Sequence, residues 1–154
     1  MNKSVRFGDI LSAEKGIIVH GCNAHGVMGS GIALQIKSKW PECYELYRTV
    51  CEAENDYAAL LGTIVPYSAG PQLVVANAIT QLDFGKYPKR YVSYEAIQKA
   101  FETIADAAAK AKMEVHYPLI GAGLGGGDWS IISEIIDICF SKHPEVKRTL
   151  WIYD

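Results

Sequence analysis

Apolar residues follow two kinds of pattern along this chain, and the two kinds alternate. Short apolar runs rich in β-branched residues are typical of buried strands, whereas apolar residues spaced three and four apart are typical of helices. The strand-like runs cover residues 5–7, 16–21, 62–67, 72–79, 115–120 and 148–153. The helix-like runs cover residues 31–37, 42–52, 93–112 and 129–140. This order predicts an α/β fold with a mixed central sheet and helices on both of its faces.

The predicted helices carry end signals and apolar stripes. Pro41 ends the first helix and can open the second, and Ser93 is a suitable N-cap for the third. The positions expected to be buried are Tyr44, Leu46, Tyr47 and Val50 in the second helix, Ile97, Phe101, Ile104, Ala108 and Ala111 in the third, and Ile131, Ile132, Ile135, Ile136 and Cys139 in the fourth. The turn residues 68–71 predict an antiparallel hairpin between the runs at 62–67 and 72–79.

Composition narrows the class of protein. The chain has 154 residues, of which 49% are apolar and 21% charged, and this is typical of one globular domain spanning residues 1–154. The formal net charge of −2 provides no general basic surface for nucleic acid. No apolar run reaches the ~20 residues of a membrane helix, and residues 1–4 lead into no signal-peptide core. We therefore expect a cytoplasmic protein without membrane contact.

The four cysteines, Cys22, Cys43, Cys51 and Cys139, lack the spacing of a metal site. In a reducing compartment, each is expected to be a small buried hydrophobic residue. Cys22 differs from the other three because it lies in a glycine-rich segment. We therefore expect no metal.

Two glycine-rich segments, residues 20–33 and 121–129, each connect a predicted strand to a predicted helix. In such a connection, free backbone N–H groups and the helix dipole converge on an anion. Neither segment is a Walker A motif, and the first does not match the dinucleotide pattern Gly-x-Gly-x-x-Gly. One interpretation is that both are only tight turns. Two such segments at neighbouring strand ends favour a ligand with two linked phosphates, such as a diphosphate-containing nucleotide.

Four motifs, in register along essentially the whole chain, resemble those of macro domains. They are Gly8-Asp9-Ile10, Asn23 with residues 29–33, residues 94–97 (Tyr-Glu-Ala-Ile) and residues 121–129. The sequence is most similar to the branch containing ADP-ribose 1''-phosphate phosphatases and the terminal ADP-ribose protein glycohydrolase, in which a histidine occupies the position of His20. The resemblance implies a three-layer α/β/α fold and a site for ADP-ribose.

The resemblance also implies a role for each motif. Asp9, beside Ile10, would accept a hydrogen bond from the adenine amino group, since a carboxylate selects that donor by a charge-assisted bond. Asn23 would contact the distal ribose. The diphosphate would be lined by Gly29, Ser30, Gly31 and Ile32 and by Gly121, Gly123, Leu124, Gly125, Gly126 and Gly127. Alternatively, Asp9 and Asn23 only stabilise turns. The aromatic residues that could flank the adenine are Tyr67, Phe84 and Tyr153.

Three positions depart from the hydrolytic macro domains. Ala33 stands where the best-known macro hydrolases carry an aspartate. Gln81 and Gly125 stand where the terminal glycohydrolase carries a lysine and an aspartate. Covalent lysine chemistry is therefore not favoured. Lys86 or Lys89 could reach into the site, or both could be solvated.

The leading hypothesis is hydrolysis of ADP-ribose 1''-phosphate, with water attacking the terminal phosphoryl group and loop amides stabilising its charge. The candidate catalytic residues are His20, Asn23 and Asp128. His20 is the first choice for general acid or base because imidazole titrates near neutral pH. Alternatively, His20 is a core residue and Asp128 an N-cap. His25 and Asp83 are further polar residues near the distal ribose.

Two other functions stay open: a mono-ADP-ribosyl hydrolase acting on modified protein or nucleic acid, and a reader that binds ADP-ribose without turnover. In each case the expected partner is a small molecule, ADP-ribose or its 1''-phosphate, and we expect a monomer without a cofactor. We also expect Gly31 and Gly127 to border one cleft. Bulky replacement of Gly31 or Gly125 is expected to abolish ligand binding and leave thermal stability nearly unchanged.

Overall fold

The computed structural model describes residues 2–85, 87 and 89–153. Its strands are β1 (Lys3–Phe7), β2 (Gly16–Asn23), β3 (Ile64–Gly70), β4 (Leu73–Gln81), β5 (Val115–Tyr117) and β6 (Arg148–Ile152). Its α-helices are α1 (Gly31–Lys39), α2 (Pro41–Ala53), α3 (Tyr94–Ala111) and α4 (Trp129–Ser141). Short 3-10 helices lie at Ile10–Ser12 and Tyr57–Leu60.

The strands form a mixed sheet in the order β1-β6-β5-β2-β4-β3. Neighbouring strands are parallel except β3 and β4, which form the predicted antiparallel hairpin. Strand β3 continues through Gly70, which pairs with Leu73, so the chain reverses at residues 71–72 rather than over 68–71. Pro66 fits within β3 because this strand lies at an edge of the sheet, where a missing N–H is tolerated.

Helices cover both faces of the sheet, which confirms the predicted three layers. On one face, Phe101 of α3 packs in the cluster that contains Val19 of β2. On the other face, Ile36 of α1 packs in the cluster that contains Ile18 of β2. Because consecutive residues of a strand point to opposite faces, the adjacent Ile18 and Val19 serve the two layers. Strand β2 is thus buried on both sides, as expected for a central parallel strand.

Several details differ from the prediction. Three positions expected to be buried are exposed: Leu46, Ile131 and Ala111. The buried residues of α2 are Tyr47, as predicted, together with Cys43 and Cys51, spaced four apart. Because α2 packs on the core only through this narrow stripe, the position next to Tyr47, Leu46, faces solvent. Strand β5 also ends before Pro118, which has no N–H for the sheet.

The four cysteines are buried and not disulfide-bonded, which confirms their expected role as small hydrophobic residues. In the part of the chain that the structure describes, no helix is long and apolar enough to span a membrane.

The parallel part of the sheet determines where a ligand can bind. Strands β1, β6, β5, β2 and β4 are parallel neighbours, so their carboxyl ends lie along one edge of the sheet. Both glycine-rich segments follow strands of this set, β2 and β5. In open α/β sheets, ligands bind beyond such carboxyl ends.

Candidate functional site

A cavity of about 760 Å³ lies along the carboxyl ends of these parallel strands. Its lining follows the strand order, with residues 8–10 after β1, 151–153 at β6, 118–121 after β5, 21–23 in β2 and 80–81 in β4. At a strand spacing of about 4.8 Å, the row from β1 to β4 is about 19 Å long. The cavity therefore suits an elongated ligand.

The first glycine segment supplies residues 29–33 to the cavity wall. Helix α1 begins here at Gly31, and the N-cap residue Ser30 makes no side-chain capping hydrogen bond. Gly31 has a φ of +59°, which glycine adopts without strain. Among the described residues, the amide N–H groups of 29–33 reach no protein acceptor. The start of α1 therefore offers the free N–H groups expected of an anion site, with the Ser30 hydroxyl beside them.

The second glycine segment lines the same cavity with residues 121 and 123–125. In the described part of the chain, the N–H groups of 123–125 also reach no protein acceptor. The carbonyl oxygen of Gly125 accepts hydrogen bonds from the N–H groups of Tyr91 (2.7 Å) and Val92 (3.0 Å), which hold the loop in place. The prediction that the two segments meet at one cavity is confirmed.

Gly126 and Gly127 do not line the cavity, so the expectation that Gly127 borders one cleft with Gly31 is wrong, while the assignment of both glycines to the ligand site stays a prediction. A Cβ on Gly126 would clash with the carbonyl oxygen of Lys89, and one on Gly127 would lie 2.7 Å from Val92 Cγ1. Both glycines therefore allow the loop to pack closely on residues 89–92.

Asp9 lies at the β1 end of the cavity, beside Ile10. Its Oδ1 accepts a hydrogen bond from the N–H of Leu11 at 2.9 Å and caps the following 3-10 helix, so its turn role is confirmed. A carboxylate has further acceptor positions on its two oxygens. Capping therefore leaves Asp9 able to accept a hydrogen bond from a ligand.

The three aromatic candidates are in different places. Tyr153 lines the cavity near Asp9, and Phe84 lines it near the β4 end. Tyr67 does not line the cavity and packs instead beside Val75 in the core under α1. Tyr153 is thus the aromatic candidate that shares the Asp9 end.

Asn23 lines the cavity at the β2 end. Its Oδ1 accepts from the N–H groups of His25 (2.9 Å) and Val27 (3.3 Å), and its Nδ2 donates to the Val27 carbonyl (2.8 Å). The Tyr47 hydroxyl donates to the Asn23 carbonyl oxygen. These bonds confirm the turn role of Asn23. Its Nδ2 carries a second N–H, so one donor is available to a ligand.

His20 lies in the interior and not in the cavity wall, which disfavours its assignment as the catalytic acid or base. Its Nε2 is 2.6 Å from Oδ1 of Asn77. Because Nδ2 of Asn77 donates to the Val65 carbonyl, Oδ1 is the acceptor and Nε2 of His20 carries the proton. Burial lowers the pKa of His20 to about 4, partly offset by the Asn77 bond. A neutral, enclosed imidazole matches the core alternative.

Asp128 also lies outside the cavity lining. It is the N-cap of α4, and its Oδ1 accepts from the Ser130 N–H (2.9 Å) and hydroxyl (2.7 Å). The hydrogen bonds from Ser130 hold the pKa of this exposed carboxyl below its usual value. The N-cap alternative is therefore confirmed for Asp128, and its position does not favour catalysis.

The structure brings His25 and Asp83 together. Nε2 of His25 is 2.9 Å from Oδ1 of Asp83. The His25 ring packs against Tyr57 and Phe84, with ring centres 4.5 and 6.2 Å away. This pair therefore lies next to Phe84, one of the residues that line the cavity. Lys86 lies outside the described residues.

Lys89 is exposed, and its Nζ lies 4.8 Å from the centre of the Tyr91 ring. Among the described lining residues, Asp9 is the one with a charged side chain. Cys22 lines the cavity too, but burial, with Cys43 and Cys51 nearby, raises its pKa well above the ordinary value. The Cys22 side chain is therefore a neutral thiol rather than a nucleophilic thiolate.

Gln35, Thr80 and Trp151 are among the lining residues that the sequence analysis did not assign to the site. Thr80 and Trp151 lie near the carboxyl ends of β4 and β6. The indole N–H of Trp151 donates to His116 Nδ1 at 3.0 Å, which fixes the ring. Their positions at the carboxyl ends of parallel strands would have indicated that Thr80 and Trp151 lie beside the cavity, but only once the strand order was known.

The fold and the cavity agree with the comparison of this chain with known proteins. The family model described as Macro domain matches residues 19–136. The chain therefore belongs to the macro domain family, which confirms the resemblance found in the motifs.

Two curated relatives differ in their named reactions. The ADP-ribose 1''-phosphate phosphatase of Candida albicans is 30% identical over 132 residues, covering 78% of this chain and 79% of that protein. The DNA ADP-ribosyl glycohydrolase of Thermus aquaticus is 26% identical over 148 residues, covering 96% of this chain but 39% of that protein. The chain thus spans about two-fifths of the glycohydrolase.

Solved structures show the same architecture. A protein of unknown function from Bacteroides thetaiotaomicron has a TM-score of 0.88 and 28% identity, with 99% of this chain and 98% of that chain covered. A macrodomain protein from Streptomyces coelicolor has a TM-score of 0.77 and 32% identity, with the same coverage of 99% and 98%.

Proposed function

We propose that this protein binds ADP-ribose along its cavity and hydrolyses ADP-ribose 1''-phosphate to ADP-ribose and phosphate. The observation that carries the proposal is the convergence of two sets of unpaired amide N–H groups, at residues 29–33 and 123–125, on one cavity. Backbone amides in this arrangement bind phosphate oxygens without a positively charged side chain. The name of the Candida albicans relative supports the same substrate.

The cavity gives the ligand one favoured orientation. Asp9 offers a carboxylate to the adenine amino group at the β1 end, and Tyr153 lies beside it. The two glycine segments hold the diphosphate near the middle of the row of strands. The distal ribose then lies at the β2 and β4 end, within reach of Asn23.

The proposed reaction forms one P–O bond and breaks another. The oxygen of a water molecule attacks phosphorus, the bond from phosphorus to the C1'' oxygen breaks, and that oxygen takes up a proton. Phosphoryl transfer of this kind is accelerated mainly by positioning and by stabilising charge on the phosphoryl oxygens. Loop amides supply both. His25 and Asp83 do not line the cavity, but they adjoin its lining residue Phe84 and form a pair that can exchange a proton at this end.

Two measurements test the proposal. Calorimetry with ADP-ribose measures binding, and phosphate release from ADP-ribose 1''-phosphate measures turnover. We expect wild type to bind ADP-ribose and to release phosphate from ADP-ribose 1''-phosphate. His25→Gln should retain its affinity for ADP-ribose. It should release phosphate more slowly, by the ~10²–10⁴-fold that general acid–base catalysis typically contributes. Equal rates for wild type and His25→Gln would remove His25 from the mechanism.

A variant at the other end tests the orientation. Asp9→Asn keeps an oxygen that can cap the 3-10 helix but removes the charge, so ADP-ribose affinity should fall by about tenfold. For the analogue of ADP-ribose in which inosine replaces adenosine, and which therefore lacks the adenine amino group, the affinities of Asp9→Asn and wild type should differ little. Equal losses for both ligands would contradict the proposed adenine contact.

A second candidate is a reader that binds ADP-ribose without turnover. It is favoured by the absence of any charged side chain other than Asp9 among the described lining residues, since binding needs no acid or base. Tight ADP-ribose binding without phosphate release, and without release of ADP-ribose from modified DNA or protein, would establish the reader. Release from modified DNA would instead favour the reaction named for the Thermus aquaticus relative.

A further inference from the structure

His116 and Trp151 form a buried pair on neighbouring strands. His116 belongs to β5 and Trp151 to β6, and both residues are buried. The indole Nε1 of Trp151 lies 3.0 Å from Nδ1 of His116, and the two ring centres are 5.9 Å apart. One enclosed hydrogen bond therefore joins the two side chains.

The partners of His116 fix its protonation state. An indole nitrogen can only donate, so Nδ1 of His116 accepts and carries no proton. Nε2 then carries the single proton of the neutral ring, and it lies 3.0 Å from the carbonyl oxygen of Lys15, which can only accept. The hydrogen bond to Trp151 therefore exists only while His116 is neutral.

The indole of Trp151 connects His116 to the ligand site. Trp151 lines the cavity together with Gly8 and Asp9. A Cβ on Gly8 would lie 3.7 Å from Cζ3 of Trp151, an atom of the six-membered ring on the edge away from Nε1. One edge of the indole thus contacts His116, and the other borders the segment that carries Asp9.

Two charged groups among the described residues face the pair. Oε1 of Glu114 lies 3.2 Å from Nε2 of His116, and a carboxylate at this distance favours the charged form of imidazole. The guanidinium of Arg6 lies 4.6 Å from the centre of the Trp151 ring, over the indole partner. Imidazole side chains generally take up a second proton in mild acid, so this is the condition in which the hydrogen bond can be lost.

We propose that His116 is a positioning residue that holds Trp151 in the cavity wall only while its imidazole is neutral, so that ligand affinity falls in mild acid. A second proton on Nδ1 would face the indole N–H, and two donors at this distance repel each other. The indole then leaves its place beside Gly8, and the wall next to Asp9 changes shape. The effect on binding rests on the proposed function, since ADP-ribose is the ligand measured.

Calorimetry with ADP-ribose at about pH 8 and about pH 5.5 brackets the range in which imidazole titrates. We expect the affinity of wild type to be about tenfold lower at the lower pH, which is the size of effect that the loss of one hydrogen bond produces. The diphosphate of ADP-ribose stays ionised at both pH values, so the charge of the ligand does not account for the difference.

Two substitutions separate the hydrogen bond from the titration. His116→Asn places an amide oxygen near the position of Nδ1, where it can accept from Trp151 but cannot titrate, so its affinity should be the same at both pH values. Trp151→Phe keeps an aromatic ring without an N–H, so it should bind more weakly than wild type and equally at both. The matched control is His143→Gln, since His143 pairs with Asp106 and does not line the cavity. This variant should keep the pH dependence of wild type.

Tryptophan fluorescence of the unliganded protein gives a readout that needs no ligand. A protonated imidazole quenches a neighbouring indole, so the emission of wild type should change between the same two pH values. His116→Asn and Trp151→Phe should lack this change. A change of equal size in His116→Asn and wild type would overturn the inference, and so would an equal pH dependence of their affinities for ADP-ribose.

The failure of the proposed function is distinguishable from the failure of this inference. Wild type that binds no ADP-ribose at pH 8 refutes the proposed function, and the fluorescence then decides whether His116 holds Trp151. Wild type that binds ADP-ribose with the same affinity at both pH values refutes only the role of His116.

Discussion

The protonation state of His20 depends on its burial and on Asn77, a residue far away in the sequence. Its ring is fully buried and hydrogen-bonded to Asn77, on the adjacent strand β4. From the sequence, a histidine at the end of an apolar run fits either a core or a catalytic residue, because the choice depends on strand neighbours. The pairing of β2 with β4 decides in favour of the core.

The buried imidazole predicts a loss of stability in acid. The unfolded chain binds a proton at His20 near pH 6.5, whereas the folded protein does so only near pH 4. As the pH falls from 6.5 to 4, the unfolded state is increasingly favoured, by about 3 kcal/mol in all. Above pH 6.5 both states are neutral at His20, and the effect vanishes. Urea unfolding at several pH values measures this slope.

The variant His20→Gln, which cannot titrate, is the matched control. Its free energy of unfolding should fall less steeply between pH 6.5 and 4 than that of wild type, whatever its value at pH 7. Parallel slopes for the two proteins would show that His20 is not held neutral by burial.

At the scale of elements, the second glycine segment combines two kinds of position. Gly123 lines the cavity, and a Cβ there would meet no atom within 4 Å. Gly125 also lines the cavity, but a Cβ there would lie 2.8 Å from the Gly121 carbonyl oxygen. The expectation that Gly125 can be replaced without loss of stability is therefore wrong. Gly31 has open space but a left-handed φ, which strains other residues.

Gly123 and Gly127 should separate binding from stability. Gly123→Leu places a side chain at the cavity wall and should abolish ADP-ribose binding, with the free energy of unfolding changed by about 0.5 kcal/mol or less. Gly127→Ala brings a Cβ within 2.8 Å of Ile132 Cδ1 and should cost roughly 1–3 kcal/mol. Calorimetry and urea unfolding of both variants check this, and equal effects on binding and stability in Gly123→Leu would contradict it.

The elements themselves followed from the apolar pattern, because each strand or helix is encoded locally. Strand order is not local: β6 lies between β1 and β5 only in the folded sheet. The glycine segments could be predicted as one site because each is recognisable in the local sequence. The lining residues Thr80 and Trp151 could not be predicted, because their place beside the cavity depends on the strand order. The packing of Gly126 and Gly127 was missed for the same reason, since the segment at 89–92 that they pack against is distant in sequence.

For the whole molecule, the cavity links five strands, so a ligand that fills it should stabilise the fold. A ligand at about 100 times its Kd adds about 2.7 kcal/mol to the free energy of unfolding. For a domain of this size, ADP-ribose should then raise Tm by roughly 5–10 °C. A thermal scan with ADP-ribose measures the shift, and Gly123→Leu, scanned in parallel, should show none. A shift of the same size in Gly123→Leu would place the ligand outside the cavity.

The pairing of β1 with β6 matters during translation. Asp9 is synthesised before residues 148–152 of β6, the strand with which the edge strand β1 pairs. A nascent chain on the ribosome therefore lacks this strand partner of β1 until β6 has emerged. The Asp9 end of the cavity is therefore completed only after β6 has formed, and a chain synthesised short of β6 should not bind a ligand at that end.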